Sequence, residues 1–77
     1  MASKIVRVTW VDSCADFGWR KLASVTPDQY STIESVGWLV RDDERSITIT
    51  TSVSSVESCM DPLVIPKVAI KKMKGLR

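Results

Sequence analysis

The side chains best suited to binding chemistry follow directly on the first strand-like segment of the sequence. Asp12 and Ser13 bring a carboxylate and a hydroxyl, and Trp19 adds a large aromatic ring within the same loop. Loops at strand ends often carry binding residues, because a rigid scaffold positions them there. The same residues also suit a structural role, in which Asp12 and Ser13 cap a turn and Trp19 packs into the core. The residues by themselves leave both interpretations open.

Positive charge is concentrated towards the C-terminal end of the sequence. Residues 62–77 carry five Lys or Arg side chains and no acid, whereas residues 1–61 carry six against nine acids. The net charges of the two segments are therefore +5 and −3. Lys67, Lys71 and Lys72 could neutralise the phosphates of a nucleotide or a nucleic acid. Alternatively, lysines along a strand can keep a sheet edge from pairing with other sheets.

Several kinds of chemistry are made unfavourable by residues that the sequence lacks. It contains no histidine, so catalytic triads in their usual forms and the commonest metal ligand are missing. Cys14 and Cys59 are too few for a zinc site, and in a cytosolic protein they are expected to be free thiols. The acids at 42–44 suit a solvated turn, and the three glycines are too dispersed for a phosphate-binding loop. We therefore expect no catalysis, no metal and no cofactor.

Alternating apolar residues predict the strands that must position these side chains. Residues 5–12 alternate and are rich in β-branched types, which predicts a first strand with Val8 and Trp10 on its buried face. The segment 32–41 has apolar residues on both faces, so it should be a central strand. Gly37 within it indicates a bulge or a close approach of another backbone.

The second half of the sequence predicts a hairpin and two short strands. Residues 46–51 should return along the central strand after a polar turn, with their isoleucines inward. The serine-rich stretch 52–62 is predicted to be a loop. Pro66 cannot donate a ladder hydrogen bond, so pairing should break there, between a short strand at 63–65 and a last strand that begins at Val68.

Together these segments predict a mainly β protein with one domain, residues 1–77. Strand number and spacing favour a small five-stranded SH3-like or Sm-like partly open barrel with a short helical turn. That turn is expected at Thr26–Tyr30, where Thr26 can cap a helix and Pro27 suits its first position. A short strand is also predicted across residues 19–23. Open sheet edges in so small a domain lead us to expect a homo-oligomer.

The three tryptophans divide between the core and the loop. Trp10 and Trp38 share their strand faces with valines, which favours core packing for both. Trp19 follows a glycine in the loop and is equally suited to the core and to stacking on a ligand. Trp19 is therefore the tryptophan with a predicted binding role.

The sequence shows neither a membrane span nor a secretory signal. No apolar run approaches the roughly 20 residues that a spanning helix needs. The first residues lack the apolar stretch of a signal peptide. A cytosolic protein without a membrane partner is therefore expected.

Five short segments carry a resemblance that extends over nearly the whole chain. They are Val6–Ser13, Gly18–Trp19, Ser35–Val40, Asp42–Glu44 and Ile65–Ile70. In these segments the chain resembles a group of short bacteriophage proteins. The resemblance implies a virus-encoded accessory protein that acts in the cytoplasm of an infected bacterium, and it supplies no catalytic residues. Small phage proteins of this kind often serve host takeover or counter-defence.

These observations lead to one principal hypothesis and one alternative. The first is a non-enzymatic binding protein that blocks a host protein or sequesters an anionic, nucleotide-like immune signal. Aromatic and polar loop residues would grip the ligand while lysines neutralise its charge. The alternative is a nucleic-acid-binding small β-barrel, motivated by the basic C-terminal segment. The predicted ligand-binding residues are Asp12, Ser13, Trp19, Lys67, Lys71 and Lys72.

Overall fold

A computed structural model describes residues 4–13, 19, 21–24 and 30–76. Along these residues the chain forms β-strands joined by turns, with two short 3-10 turns. The strands are β1 (Ile5–Ser13), β2 (Tyr30–Asp42), β3 (Ser46–Thr50), β4 (Ser52–Val53), β5 (Cys59–Met60), β6 (Leu63–Pro66) and β7 (Ile70–Gly75). The 3-10 turns are Leu22–Ser24 and Lys67–Ala69.

Five of the strands form one antiparallel sheet, in the order β6-β3-β2-β1-β7. β4 and β5 pair separately as a two-stranded sheet. β2 occupies the middle of the large sheet, as its apolar residues on both faces predicted. In the described part of the chain the sheet is not closed, because β6 and β7 are its two edges. The mainly β, five-stranded prediction is confirmed, whereas an SH3-like or Sm-like barrel stays a prediction.

One face of this sheet carries the hydrophobic core. Side chains alternate between the faces of a strand, so a two-residue spacing places apolar residues on the same side. The register then sets Ile47 of β3 directly opposite Ile65 of β6. Each such buried side chain contributes about 1.5–3 kcal/mol to folding. The buried apolar side chains are Val6, Val8, Ile47, Ile49 and Ile65, with Trp10, Leu39 and Ile70 packed against them.

Gly37 lies where the backbone of β3 comes closest to β2. A Cβ at this position would stand 2.7 Å from the carbonyl oxygen of Thr50 and 3.4 Å from the Cβ of Ile49. A backbone oxygen cannot rotate away as a side chain can, so only glycine fits without a shift of the strands. The close approach predicted for Gly37 is confirmed.

Two predictions are wrong: the short strand across residues 19–23 and the start of the last strand at Val68. Residues 22–24 form a 3-10 turn, and Trp19 and Lys21 lie outside any strand. Lys, Leu and Ala favour helical over extended backbone, which explains the turn. Val68 also lies in a 3-10 turn, and the last strand begins at Ile70. The chain must leave the sheet here, because β6 and β7 occupy opposite edges.

The predicted loop at 52–62 contains the β4–β5 hairpin. Each of its strands has two residues, too few for alternation to be visible in the sequence. Its turn is held by the Ser54 hydroxyl, which accepts hydrogen bonds from the amides of Val56 and Ser58. Glu57 and Asp61 adopt the left-handed backbone region, with φ of 59° and 48°. The helical turn expected at Thr26–Tyr30 falls mostly outside the described residues, and Tyr30 itself opens β2.

Candidate functional site

The ends of β1 and β2 extend beyond the strands that flank them. β1 pairs with β7 from Val6 to Trp10, and β2 pairs with β3 from Trp38 onward. Residues 11–13 and 30–32 pair with each other, and no other described strand flanks them in the ladder. We call this two-stranded extension the arm.

Two of the predicted ligand-binding residues lie on the arm. Asp12 pairs with Ser31 and Ser13 with Tyr30, so both belong to β1. This corrects the expectation that the loop begins at Asp12, because the strand continues through Ser13. Asp12 is exposed. In the alternation of β1, Asp12 lies on the same face as Val8 and Trp10.

The segment that connects β1 and β2 presents two large apolar side chains to solvent. Trp19 is fully exposed, with a relative accessibility of 103%, and Leu22 is 91% exposed. Sequence reasoning missed Leu22, because it placed that residue in a strand. A helix-favouring run next to a loop tryptophan could have drawn attention to it. The full exposure of Trp19 shows that it does not pack into the core, and its binding role stays a prediction.

The other two tryptophans serve the sheet itself. Trp10 packs against the buried cluster, and its indole Nε1 donates a hydrogen bond of 3.1 Å to the Ser35 hydroxyl. Trp38 pairs with Ile5 and Thr50, which places it on the opposite face from the core cluster. It is half-buried there. The core prediction is therefore confirmed for Trp10, whereas Trp38 covers the other face of the sheet.

Lys67 is engaged by a carboxylate of the protein. Its ammonium lies 2.7 Å from Oδ1 of Asp42, and its backbone N–H donates to the carbonyl oxygen of Arg45 at 2.8 Å. Both partners come from the β2–β3 turn and its flank. Both charged side chains are partly exposed, so this ion pair adds little stability. Lys67 thus attaches the second 3-10 turn to the hairpin, a structural role that a ligand-binding prediction did not include.

The acids of the β2–β3 turn organise the turn itself. Asp43 Oδ1 accepts hydrogen bonds from the amides of Arg45 and Ser46, both at 3.0 Å. These bonds hold the pKa of Asp43 below its ordinary value, and the neighbouring Arg41 guanidinium acts in the same direction. The carboxylate therefore stays ionised and caps the turn. Within the described residues, no group of three His, Cys, Asp or Glu side chains could hold a metal ion.

The lysines of β7 are divided by a bulge. The register places Lys72 opposite Thr9 and Lys74 opposite Arg7, and it shifts between Thr9 and Trp10 so that Lys71 has no paired residue. Lys72, Lys74 and Arg7 therefore share the face of the sheet that points away from the core. We call these three residues the basic row. Arg7 could not be assigned to it from the sequence, because cross-strand register is not encoded locally.

Three of the six predicted residues, Asp12, Lys67 and Lys72, do not converge on one pocket. Lys72 lies opposite Thr9, three positions along β1 from Asp12, which corresponds to about 10 Å. Their side chains project from opposite faces of the sheet, since Thr9 and Asp12 differ by an odd number of positions. The ammonium of Lys67 is already paired. The exposed side chains of Trp19 and Leu22 form one candidate surface, and the basic row forms another.

A depression beside the β4–β5 hairpin is a poor match for a nucleotide. It has a volume of about 170 Å³ and is lined by Ser52, Ser54, Ser58, Cys59 and Met60. Small-molecule sites usually measure about 300–1,000 Å³ and include a few oriented polar or charged groups. No charged side chain lines this depression. Cys59 is an exposed free thiol, and Cys14 lies outside the described residues.

Comparison with known proteins does not identify a relative. The chain matches no protein-family model, no curated protein and no solved structure. Among the residues described, no helix has the length and apolar character required to cross a membrane. Functional inference therefore depends on the two surfaces themselves.

Proposed function

We propose that this chain is a non-enzymatic binding protein that captures a partner protein through the exposed side chains of Trp19 and Leu22. In keeping with its resemblance to short phage proteins, the partner is a host factor in an infected bacterium, which binding blocks. Host takeover or counter-defence is the corresponding role. Protein capture needs an exposed apolar contact and no catalytic group.

The observation that carries this proposal is the full exposure of Trp19. A tryptophan side chain can bury about 150–250 Å² in an interface. At about 25 cal/mol per Å², that area corresponds to an upper bound of about 4–6 kcal/mol. Tryptophan is also among the residues most enriched at the energetic centres of interfaces. Leu22, nearby in sequence and 91% exposed, extends the apolar contact.

The described geometry favours a protein over a nucleotide as the partner. A nucleotide needs a concave site in which charged and polar groups converge. Asp12 and Lys72 lie on opposite faces of the sheet, and Lys67 is paired with Asp42. A protein partner requires no such convergence, because a projecting aromatic side chain can enter a pocket of the partner.

We predict that Trp19→Ala weakens capture of the host protein at least about tenfold while leaving thermal stability nearly unchanged. Truncation of a tryptophan at the energetic centre of an interface costs about 2 kcal/mol or more, which exceeds the roughly 1.4 kcal/mol of a tenfold loss. Surface substitutions, by contrast, change stability by about 0.5 kcal/mol or less. The measurement is the affinity of tagged chain for the protein that it retains from host cells, together with the melting temperature. Val36→Ala is the control, because Val36 is an exposed apolar residue on the sheet.

Two results would argue against this function. If Trp19→Ala and Val36→Ala retain the host protein equally well, Trp19 does not carry the binding. If no protein is retained, but cyclic nucleotides or ADP-ribose derivatives raise the melting temperature, the chain sequesters a nucleotide signal instead.

The basic row supports a second candidate function, binding of nucleic acid. Arg7, Lys72 and Lys74 lie on one face, in register across β1 and β7. If each contacts one phosphate, affinity for an oligonucleotide should fall roughly 20–40-fold between 50 and 200 mM salt. Fluorescence anisotropy with labelled single-stranded and duplex DNA measures this directly. A lack of binding to either probe at low salt would dismiss the candidate.

A further inference from the structure

β7 is an edge strand whose outward hydrogen-bonding groups can be assigned. The amide of Leu76 donates to the carbonyl oxygen of Ile5 at 2.7 Å. In an antiparallel ladder, residues alternate between bonding to the neighbouring strand and pointing away from it. The backbone groups of Lys72 and Lys74 therefore face β1, and those of Met73 and Gly75 face the free edge. No other described strand pairs with that edge.

The opposite edge of the sheet is less able to accept a strand. The amide of Lys67 donates to the carbonyl oxygen of Arg45, so by the same alternation the backbone groups of Val64 and Pro66 point outward from β6. Proline has no N–H, which leaves the amide of Val64 as the outward donor of this four-residue strand. β7 is longer, with six residues, and contains no proline.

We propose that the free edge of β7 binds an extended acidic segment of the partner protein as a sixth strand of the sheet. This inference rests on the proposed function, because it assumes that the partner is a protein. The backbone groups of Met73 and Gly75 form the ladder hydrogen bonds, and the lysines select an acidic sequence. Addition of a strand to a sheet edge is a recurring mode of peptide recognition.

Charge decides which strand can occupy this edge. Lys72 and Lys74 are exposed and project from the same face, so alternate side chains of an added strand lie beside them. Acidic residues at those positions form cross-strand ion pairs. A second copy that paired through its own β7 would instead place lysines beside lysines, which is destabilising. The edge thus disfavours self-pairing through β7 and accepts an acidic partner.

Side chains near the end of β7 can also contact an added strand. A Cβ at Gly75 would meet no other atom within 4 Å. Met73 and Leu76 are partly exposed, so their apolar atoms can pack against side chains of the incoming segment. Backbone bonds and side-chain contacts are then both available along the same strand.

The test uses the full chain, labelled with ¹⁵N, and a short synthetic peptide that alternates valine and glutamate. At a peptide concentration about ten times the Kd, hydrogen exchange at the Met73 and Gly75 amides should slow about tenfold. The Lys72 and Lys74 amides, which already face β1, should change far less. A valine–lysine peptide of equal length should bind at least tenfold more weakly.

Charge reversal on β7 provides the matched variants. Lys72→Glu with Lys74→Glu replaces two cross-strand attractions by two repulsions and should therefore weaken binding of the acidic peptide about tenfold. Lys4→Glu with Arg45→Glu changes the net charge by the same amount elsewhere on the exposed surface and should leave affinity within about threefold. Exchange at the Val8 and Ile47 amides reports whether each variant is folded.

Several outcomes would overturn the inference. Unchanged exchange at Met73 and Gly75 with peptide bound, or equal affinity for acidic and basic peptides, would exclude strand addition. If exchange at the Met73 and Gly75 amides slows as the protein concentration rises without peptide, the occupant of the edge is a second copy of the chain. If single-stranded DNA slows exchange at the Met73 and Gly75 amides and the acidic peptide does not, the occupant of the edge is nucleic acid. Since Trp19→Ala tests the Trp19 contact separately from the β7 edge, host-protein capture that depends on Trp19 would preserve the proposed function even then.

Discussion

Ile47→Ala should lower the free energy of unfolding by about 2–5 kcal/mol. Ile47 is fully buried on β3, opposite the fully buried Ile65. Truncation removes the transfer free energy of three carbon atoms and leaves a cavity that strands on both sides cannot easily fill. A protein of 77 residues has a total stability of about 4–11 kcal/mol. This one substitution should therefore remove a large part of the free energy of unfolding. The measurement is a urea unfolding curve.

Val64→Ala is the matched control for this prediction. Val64 belongs to the neighbouring strand β6 but lies on the opposite face and is 61% exposed. We expect its truncation to cost less than about 1 kcal/mol, because little buried area is lost. Equal losses for the two variants would mean that the core does not lie on the Ile47 face of the sheet.

Gly37→Ala should destabilise the protein by about 1–3 kcal/mol or more. The added methyl carbon would stand 2.7 Å from the carbonyl oxygen of Thr50. Relief of that contact requires β2 and β3 to move apart, which strains the hydrogen bonds between them. The sign of the change in the free energy of unfolding is informative, because replacing glycine by alanine in extended backbone otherwise stabilises a protein by about 0.5–1 kcal/mol. The measurement is the midpoint and slope of chemical unfolding.

Gly75→Ala provides the comparison for Gly37. Gly75 lies on the edge strand, where a Cβ would meet open space. We expect a neutral effect or a gain of up to about 1 kcal/mol. No loss at Gly37 would contradict the close contact between β2 and β3, and a large loss at Gly75 would contradict the open space beside that residue.

The extent to which the fold could be predicted differs between long strands and short segments. β1 and β3 alternate over five or more residues, so the spacing of Val8, Ile47 and Ile49 was sufficient to identify their buried faces. The β4–β5 hairpin has strands of two residues and offered no periodicity. The β-branched types of Val68 and Ile70 predict a strand from Val68, whereas Val68 and Ala69 belong to the 3-10 turn at Lys67–Ala69. Tertiary context, the crossing from one sheet edge to the other, overrides that local preference.

The candidate surfaces were predictable only in part. The sequence named Trp19 and the lysines, because their residue types suit binding regardless of the fold. It could not show that Lys67 is paired with Asp42 or that Lys74 lies beside Arg7. Both contacts join residues far apart in the chain, and cross-strand pairing depends on register. A shift of one residue would move every side chain of a strand to the other face.

By itself the sequence predicted a small β protein with a central second strand, a bulge or a close backbone approach at Gly37, and Trp19 as the tryptophan suited to a binding role. Only the tertiary structure decided that Trp38 lies opposite the core and that β7 is the lysine-rich edge among the described strands of the sheet. The physical reason is the range of the forces involved. Alternation and turn chemistry act over neighbouring residues, whereas register and edge position are set by the packing of all five strands at once.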